Sequence, residues 1–243
     1  MRGILITGGS SELGIDLIER IQDKYDVIWG HYNKSAETLT ELAGRIGPKL
    51  IPVQADFSDS KSVSNLINII AQTENWPLDI VHLSAIGARN KPFSGWQAED
   101  FEEEFLVEVS SIIKILDAFL PHMVEEHSGK VIFMLSSFVE GVSPKYQSPY
   151  IVSKYALYGL MKNLAAEYSD KGIRINAVSP DMIDTKFNDK VVRKIKELNA
   201  EKSPLKRNLK PSDVTPVIEF LLSERAESIS GMNIPVTAGI ELV

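Results

Sequence analysis

A serine, a tyrosine and a lysine in the second half of the chain have the types and spacing of a proton-transfer site. Tyr150 and Lys154 are four positions apart, so both side chains lie on one face of a helix. A tyrosine has an unperturbed pKa near ~10, and a neighbouring ammonium group lowers it because the positive charge favours the phenolate. Tyr150 is therefore a candidate acid or base for a carbonyl or alcohol oxygen. Ser137 lies thirteen positions earlier (150 minus 137), at the end of an apolar run, where its hydroxyl can hold the same oxygen.

A second candidate site follows the first apolar run. Gly8, Gly9 and Gly14 stand between a predicted strand and a predicted helix. Glycines at this junction permit a tight turn and the close approach of a pyrophosphate, which the N–H groups and the positive dipole end of the helix attract. Taken alone, such a turn is also compatible with an ordinary strand-to-helix connection. Glu12 suits the helix dipole but would repel a phosphate if it pointed inward, so we expect its side chain to point to solvent.

The end of the second predicted strand bears on the choice of nucleotide. It reads Gly-His-Tyr-Asn-Lys-Ser over residues 30–35, without an acidic residue to bond a ribose 2'-hydroxyl as in NAD-binding sites. Lys34, with Asn33 and Ser35, has the charge and donors to receive a 2'-phosphate. The sequence therefore favours NADP(H), with NAD(H) possible. The alternative is a solvated lysine beside an N-cap serine.

Short apolar strands and amphipathic helices alternate along the chain. Strands are predicted at 3–7, 26–30, 50–54, 78–83, 130–135, 172–178 and 232–236, and helices at 13–21, 63–70, 101–124, 150–168 and 211–222. This alternation predicts a Rossmann-like α/β fold, a doubly wound parallel sheet with helices on both faces, in one domain over 1–243. The polar, lysine-rich segment 184–210 is predicted to be either a solvated surface excursion or a substrate loop that acts as a mobile lid.

Composition narrows the class of protein. The chain has 243 residues, 44% of them hydrophobic, which is enough for one substantial core. Its net charge of -7 gives no support to nucleic-acid binding. The absence of cysteine excludes thiol catalysis and thiolate-bound zinc, and the four histidines lack metal-binding spacing, so we expect no metal site. No signal-peptide stretch and no apolar run near ~18 residues is present, so we expect a cytoplasmic protein without a membrane partner.

These motifs together resemble those of the short-chain dehydrogenase/reductase family, most nearly its 3-oxoacyl-acyl-carrier-protein reductase branch. The resemblance runs almost end to end: the family's Thr-Gly-x-x-x-Gly-x-Gly falls on 7–14, and its serine, tyrosine and lysine fall on Ser137, Tyr150 and Lys154. Its catalytic asparagine, which positions a proton-relay water, falls on Glu108. The resemblance also implies the strand order 3-2-1-4-5-6-7 and a homodimer or homotetramer packed through the two long helices.

The resemblance implies a set of cofactor contacts as well. Asp56 would contact the adenine, and Ile183 and Thr185 would hold the nicotinamide carboxamide. The full set comprises Gly8, Ser10, Ser11, Leu13, Asn33, Lys34, Ser35, Asp56, Phe57, Ser84, Ala85, Tyr150, Lys154, Pro180, Ile183 and Thr185.

The chain departs from the family pattern at several of these places. Glu12 replaces the middle glycine, the family's Asn-Asn-Ala-Gly reads His-Leu-Ser-Ala over 82–85, and Asp181 replaces the glycine after Pro180. Glu108 could bond the relay water or pair with Lys154, and such a pair would reduce the pull of the lysine on Tyr150. Ser136 is a lesser candidate for the role of Ser137.

The sequence thus predicts an NADP(H)-dependent ketoreductase that acts on a carbonyl or alcohol substrate, one candidate being a 3-oxoacyl thioester on a carrier protein in fatty-acid or polyketide-like biosynthesis. Exposed basic residues in 190–207 would meet an acidic carrier, or serve only as solubilising charge. Two alternatives stay open. One is a weakly active or non-catalytic subunit that pairs with an active homologue, as Glu12, Glu108 and Asp181 suggest. The other is an enzyme of specialised biosynthesis that uses the same three residues on a cyclic or conjugated ketone.

Overall fold

A parallel sheet forms the centre of the molecule in the computed structural model, which describes residues 2–73, 76–141 and 143–240. Within these residues the strands are β1 (Gly3–Thr7), β2 (Val27–Tyr32), β3 (Leu50–Gln54), β4 (Pro77–His82), β5 (Gly129–Met134), β6 (Ile173–Pro180) and β7 (Asn233–Val236). Their order across the sheet is β3-β2-β1-β4-β5-β6-β7. This confirms the predicted order. Because the order reverses beside β1, a crevice forms at the carboxyl ends of β1 and β4.

Helices cover both faces of the sheet. In the described part of the chain the α-helices are α1 (Glu12–Ile21), α2 (Glu37–Ile46), α3 (Ser60–Ala71), α4 (Ala98–Phe105), α5 (Ser111–Glu125), α6 (Ser148–Tyr168), α7 (Arg193–Lys202) and α8 (Pro211–Leu222). Neither α2 nor α7 is among the predicted helices. Helix α7 has no buried residue and leaves no strong apolar period, whereas α2 does have apolar residues at helical spacing, Leu39, Leu42, Ala43 and Ile46, which the sequence analysis missed.

Two apolar layers hold the helices against the sheet. All residues of β1 and β5 are buried, as expected for strands covered on both faces. One layer packs α3, α5 and α6 on the sheet, and the other packs α1, α2 and α8. Helix α1 begins at an N-cap, where the Ser11 hydroxyl accepts a hydrogen bond from the Gly14 N–H at 3.0 Å. This fixes the helix N-terminus at the crevice.

The long helix predicted at 101–124 changes its winding in the middle. Helix α4 ends at Phe105, a π-helical turn follows over Leu106–Ser110, and α5 continues from Ser111. Pro121 lies inside α5 without ending it. The π-helical turn contains Glu108, whose side chain is fully buried. Such turns are rare in proteins and occur frequently at functional sites.

Residues 184–210, called the lid segment below, cross the carboxyl end of the sheet. They include α7 and Leu209, which forms a β-bridge with Ile183, the residue that precedes the segment. The carbonyl oxygen of Phe187 accepts a hydrogen bond from the N–H of Ala88, in the loop after β4, at 3.2 Å. The segment therefore lies over the crevice in this structure. No helix in the described ranges is long and apolar enough to cross a membrane.

Candidate active site

A cavity of about 1060 Å³ occupies the crevice. Its walls come from the segments that follow β1, β2, β4, β5 and β6, and from the lid segment. All predicted site residues except Lys34, Asp56 and Glu108 line it. The structure therefore brings the glycine turn and the Ser-Tyr-Lys group into one site, as expected for the carboxyl edge of a doubly wound sheet. The described residues contain no group of three or more His, Cys, Asp or Glu arranged to hold a metal ion.

Tyr150 and Lys154 lie on the first turns of α6, one turn apart. The Lys154 Nζ atom is 5.3 Å from the centroid of the Tyr150 ring. It also donates a hydrogen bond to the carbonyl oxygen of Met134, at the end of β5, at 3.0 Å. These two contacts anchor the buried ammonium group between the helix and the sheet, where it acts electrostatically on the phenol.

Ser136 and Ser137 both lie just after the end of β5, and the Ser136 hydroxyl is the one that acts on the pKa of Tyr150. Ser136 caps the short 3-10 turn Ser137–Val139, where its hydroxyl accepts a hydrogen bond from the N–H of Phe138 at 3.4 Å. Both serines line the cavity. Because the two serines are adjacent in the sequence and both line the cavity, either hydroxyl can reach a carbonyl oxygen beside Tyr150.

The pKa of Tyr150 is raised from its ordinary value. Burial is the main cause, and the negative charges of Glu108 and Glu104 act in the same direction. Lys154 and the Ser136 hydroxyl oppose them by favouring the phenolate. The lowering influence predicted for Lys154 is therefore present but does not dominate in this structure.

Glu108 adds to the effect of burial by opposing the influence of Lys154 on Tyr150. Its Oε2 atom lies 3.0 Å from Lys154 Nζ and accepts a hydrogen bond from the Ser153 hydroxyl at 2.8 Å. Burial alone would lower the pKa of Lys154, but the charge of Glu108 raises it. Lys154 is thus held in its charged form. Its positive charge acts on both Tyr150 and the Glu108 carboxylate.

His82 forms hydrogen bonds with both the main chain of Glu108 and Thr7, the residue that precedes the glycine turn. Its Nε2–H donates to the Glu108 carbonyl oxygen at 2.9 Å, so its Nδ1 must accept the 2.8 Å hydrogen bond from the Thr7 hydroxyl. Burial, aided by the positive charge of Lys154, lowers the pKa of His82 to about 3. The imidazole is therefore neutral and structural, and it stands where the resembling family has an asparagine.

The glycine turn has the close contacts that only glycines permit. Gly8 has a φ of +67°, and a Cβ on Gly14 would lie 2.6 Å from the carbonyl oxygens of Gly8 and Gly9. Ser10, Ser11 and the first turn of α1 line the adjoining part of the cavity. This leaves room for an anionic group beside the helix N-terminus.

His31 is a residue of this region that sequence reasoning missed. Its Nδ1 accepts a hydrogen bond from the Gly8 N–H at 3.0 Å, and its Nε2–H donates to the Ala55 carbonyl oxygen at 3.0 Å. The ring stacks on Phe57 with centroids 4.0 Å apart. Burial lowers the pKa of His31 to about 4. The only signal in the sequence was its place at the end of β2.

Lys34 and Asp56 lie at the rim of the cavity. Lys34 is exposed. The Asp56 carboxylate accepts hydrogen bonds from the N–H and the hydroxyl of Ser58 at 2.9 and 2.7 Å. These bonds lower the pKa of Asp56, and Lys34 adds to the effect. Lys34 is therefore close enough to Asp56 for a charge interaction, while its ammonium group stays accessible.

The two unexpected carboxylates near the cofactor region both contact the lid segment. Glu12 is exposed, but it lines the cavity and its Oε1 accepts a hydrogen bond from the Lys186 N–H at 3.2 Å, so its side chain points to the lid segment and not only to solvent as expected. Asp181 accepts a hydrogen bond from the Asn199 side chain of α7 at 2.9 Å. In this arrangement each carboxylate has a partner in the lid segment.

The sheet carries a glycine turn after its first strand and a Ser-Tyr-Lys group on the other side of the crevice. This arrangement is that of a dinucleotide-dependent oxidoreductase. Residues 22–241 match the family model described as Enoyl-(Acyl carrier protein) reductase. The chain belongs to the short-chain dehydrogenase/reductase family, which confirms the resemblance seen in its motifs. It is an NAD(P)-dependent short-chain oxidoreductase.

Relatives and solved structures agree with this assignment. The chain is 28% identical to the uncharacterized oxidoreductase YmfI of Bacillus subtilis over 97% of each chain. It is 25% identical to the 3-oxoacyl-[acyl-carrier-protein] reductase FabG of Staphylococcus aureus over 98% of each. Its fold is similar to that of the 3-ketoacyl-(acyl-carrier-protein) reductase of Brucella melitensis complexed with NADH, with a TM-score of 0.87 and 22% identity over 98% of this chain and 97% of that one.

Proposed function

We propose that this protein is an NADP(H)-dependent ketoreductase that interconverts a carbonyl compound and its alcohol. The observation that carries the proposal is the position of Tyr150, beside Lys154 and in the same cavity as the glycine turn and the two serines. The proposal treats residues 1–243 as one domain in which the lid segment covers the substrate.

The residues of the cavity fit a nicotinamide dinucleotide. The glycine turn, with Ser10, Ser11 and Leu13, would hold the pyrophosphate, and Phe57, Ser84 and Ala85 lie on the path toward Tyr150. Pro180, Ile183 and Thr185 line the cavity where the resemblance places the nicotinamide. The bound dinucleotide supplies the hydride.

The chain's own residues would manage the proton and the carbonyl oxygen. Tyr150 gives a proton to that oxygen during reduction, and a serine hydroxyl, from Ser136 or Ser137, orients it. Lys154 favours the phenolate that Tyr150 leaves behind, and Glu108 fixes the charge and place of Lys154. Phe187 of the lid segment lies 6.1 Å from Tyr150 between ring centroids, so it helps to exclude water.

The preference for NADP(H) rests on Lys34. Asn33 and Ser35 line the cavity beside it, and no acidic residue stands at the end of β2 to bond a ribose hydroxyl. Asp56 acts against the preference, because its negative charge lies near Lys34. The Brucella melitensis structure named above contains NADH, so use of NAD(H) by this chain is the competing outcome.

The substrate proposed is a 3-oxoacyl thioester, free or on a carrier protein. Part of the cavity wall is apolar, with positions at Trp96, Phe138, Phe187, Ile195 and Leu198. An acyl chain gains free energy by leaving water against such walls. The Staphylococcus aureus relative named for 3-oxoacyl-acyl-carrier-protein reduction supports this choice.

A homodimer or homotetramer in the cytoplasm completes the proposal. Five large apolar side chains on α4, the π-helical turn, α5 and α6 are exposed by 40% or more: Phe105, Leu106, Ile113, Val152 and Tyr155. These are the two long helices through which the resemblance predicts packing. A large exposed apolar surface of this kind marks an interface.

The experiment that tests the proposal is an assay of NADPH and NADH oxidation with a panel of ketones that includes 3-oxoacyl thioesters. We expect reduction of a 3-oxoacyl thioester with NADPH preferred, and no reduction by Tyr150→Phe. Binding of neither nucleotide would overturn the proposal, and reduction of cyclic ketones alone would overturn the substrate.

A further inference from the structure

Two buried carboxyl groups meet beside the catalytic lysine. Glu104 of α4 and Glu108 of the π-helical turn are four positions apart, and their side chains are 4% and 0% exposed. They are close enough that the charge of Glu108 acts on Glu104. A hydrogen bond between two carboxyl groups needs a proton on one of them, since a carboxylate only accepts hydrogen bonds.

The Oε2 oxygen of each carboxyl group already has a hydrogen-bond or ion-pair partner. Glu104 Oε2 accepts a hydrogen bond from Arg89 at 2.8 Å, and Glu108 Oε2 is bound to Lys154 and Ser153. The remaining oxygens, Oε1 of Glu104 and Oε1 of Glu108, are buried and have no donor when both groups are ionised. One proton held between the two groups satisfies both oxygens and removes the repulsion of two adjacent negative charges.

Among the residues that the structure describes, the pair of Glu104 and Glu108 has one counter-ion on the side of Tyr150, which is Lys154. Arg89 is shared with Glu103 at 2.8 Å and Asp100 at 3.5 Å, whereas Lys154 faces Glu108 and Tyr150. His82, which also borders Lys154, is neutral because burial lowers its pKa to about 3. A pair with one proton therefore balances Lys154, and a pair with none adds a second negative charge beside Tyr150.

Resting on the reductase reaction proposed above, we propose that Glu104 and Glu108 share one proton and that the ionisation of this pair sets the charge acting on Lys154 and Tyr150. Glu104 lines the cavity, so the shared proton exchanges with water there. Burial and the charge of Glu108 raise the pKa of Glu104 to about 7. As the pair loses its proton, Tyr150 holds its own proton more tightly and becomes a weaker acid toward the carbonyl oxygen. Glu104 is thus a positioning residue that acts through Glu108.

Infrared spectroscopy of protein labelled with carbon-13 glutamate tests the shared proton without any assay of turnover. We expect the band of a protonated carboxyl group at about pH 6, where an ordinary glutamate is ionised, and its loss by about pH 8. Glu104→Gln removes the band. Glu103→Gln is the matched control, because Glu103 also binds Arg89 but is 52% exposed, and it keeps the band. Absence of the band from the unmodified protein at about pH 6 overturns the proposal, whether or not the variants fold.

The coupling to Tyr150 is tested by the pH profile of kcat for ketone reduction. The unmodified protein and Glu103→Gln should show an inflection near about pH 7 that Glu104→Gln lacks. Identical profiles for all three proteins overturn the coupling. If no ketone is reduced, the proposed function fails, while the infrared band still decides whether the proton is shared.

Discussion

Glu108 Oε2 lies 3.0 Å from Lys154 Nζ, with both side chains buried, so the lysine that follows Tyr150 by one helical turn is one half of a buried ion pair. A buried charge that loses its only strong partner is costly, because the interior solvates it poorly. Lys154 also donates to the Met134 carbonyl oxygen, which is a dipole and not a counter-charge. The ion pair therefore affects both stability and catalysis.

Replacement of Glu108 by glutamine removes the counter-charge while it keeps the shape of the side chain. We expect the free energy of unfolding to fall by roughly 3 kcal/mol, as is usual when one member of a buried pair is removed. Urea denaturation at neutral pH measures it. Glu103→Gln, which removes an exposed charge from the preceding helix, should change the free energy little. An equal loss in both variants would contradict the buried pair as its source.

Tyr150→Phe should lower kcat for ketone reduction by at least about 10²-fold, because it removes the proton donor. Nucleotide binding should persist, since the phenol is only one wall of the cavity. Energy transfer from Trp96, which lines the cavity, to bound NADPH measures that binding. Tyr155→Phe is the matched control on the same helix, because Tyr155 is 45% exposed and outside the cavity. Full activity of Tyr150→Phe would exclude Tyr150 as the acid.

Lys34→Ala should weaken NADPH by roughly 10-fold and NADH much less, because one close charge pair near the surface contributes on the order of 1 kcal/mol. Titration of both nucleotides gives the two dissociation constants. Lys190→Ala removes the same charge from an exposed position of the lid segment and should affect neither nucleotide. Equal losses for NADPH and NADH in Lys34→Ala would refute the 2'-phosphate assignment.

The residues that carry a strong local signal could be predicted from the sequence. The buried strands, the glycine turn and the Tyr150–Lys154 spacing depend on period and residue type, and they are in place. What could not be predicted depends on contacts between distant segments. The π-helical turn leaves no mark in the apolar pattern, and the two adjacent serines, Ser136 and Ser137, fit the same spacing. Glu104 carried no motif, because its role depends on the buried carboxylate one turn later.

The two buried histidines should make the protein sensitive to acid. Burial lowers the pKa of His31 to about 4 and that of His82 to about 3, so the unfolded chain binds protons more readily than the folded one below the ordinary histidine value. The contribution of these histidines to the free energy of unfolding is therefore complete above about pH 6.5. It falls as the pH decreases toward the folded pKa values, by up to about 1.4 kcal/mol per pH unit for each histidine.

Urea unfolding between about pH 7 and pH 5 measures this slope. His82→Asn should remove up to about 1.4 kcal/mol per pH unit of it, whatever its effect on absolute stability. His127→Asn is the control, because His127 is exposed and its positive φ of 47° is tolerated by asparagine. An unchanged slope in His82→Asn would mean that His82 is not the titrating group.

Glu104 should have the opposite dependence on pH. Its pKa is raised from 4.5 to about 7, chiefly by burial and then by Glu108, so the folded protein binds a proton there that the unfolded chain has already released. Ionising Glu104 in the folded state therefore lowers the free energy of unfolding. This loss is absent below about pH 4.5, grows as the pH rises, and is complete above about pH 7. Glutamine cannot ionise and can still donate a hydrogen bond to Glu108 Oε1.

Between about pH 5 and pH 8, the free energy of unfolding of Glu104→Gln should therefore increase relative to that of the unmodified protein by up to roughly 3 kcal/mol. Parallel urea denaturation of the two proteins gives this difference. Glu103→Gln should track the unmodified protein across the range, because Glu103 is 52% exposed. A constant difference between Glu104→Gln and the unmodified protein would show that Glu104 ionises in the folded state as an ordinary glutamate.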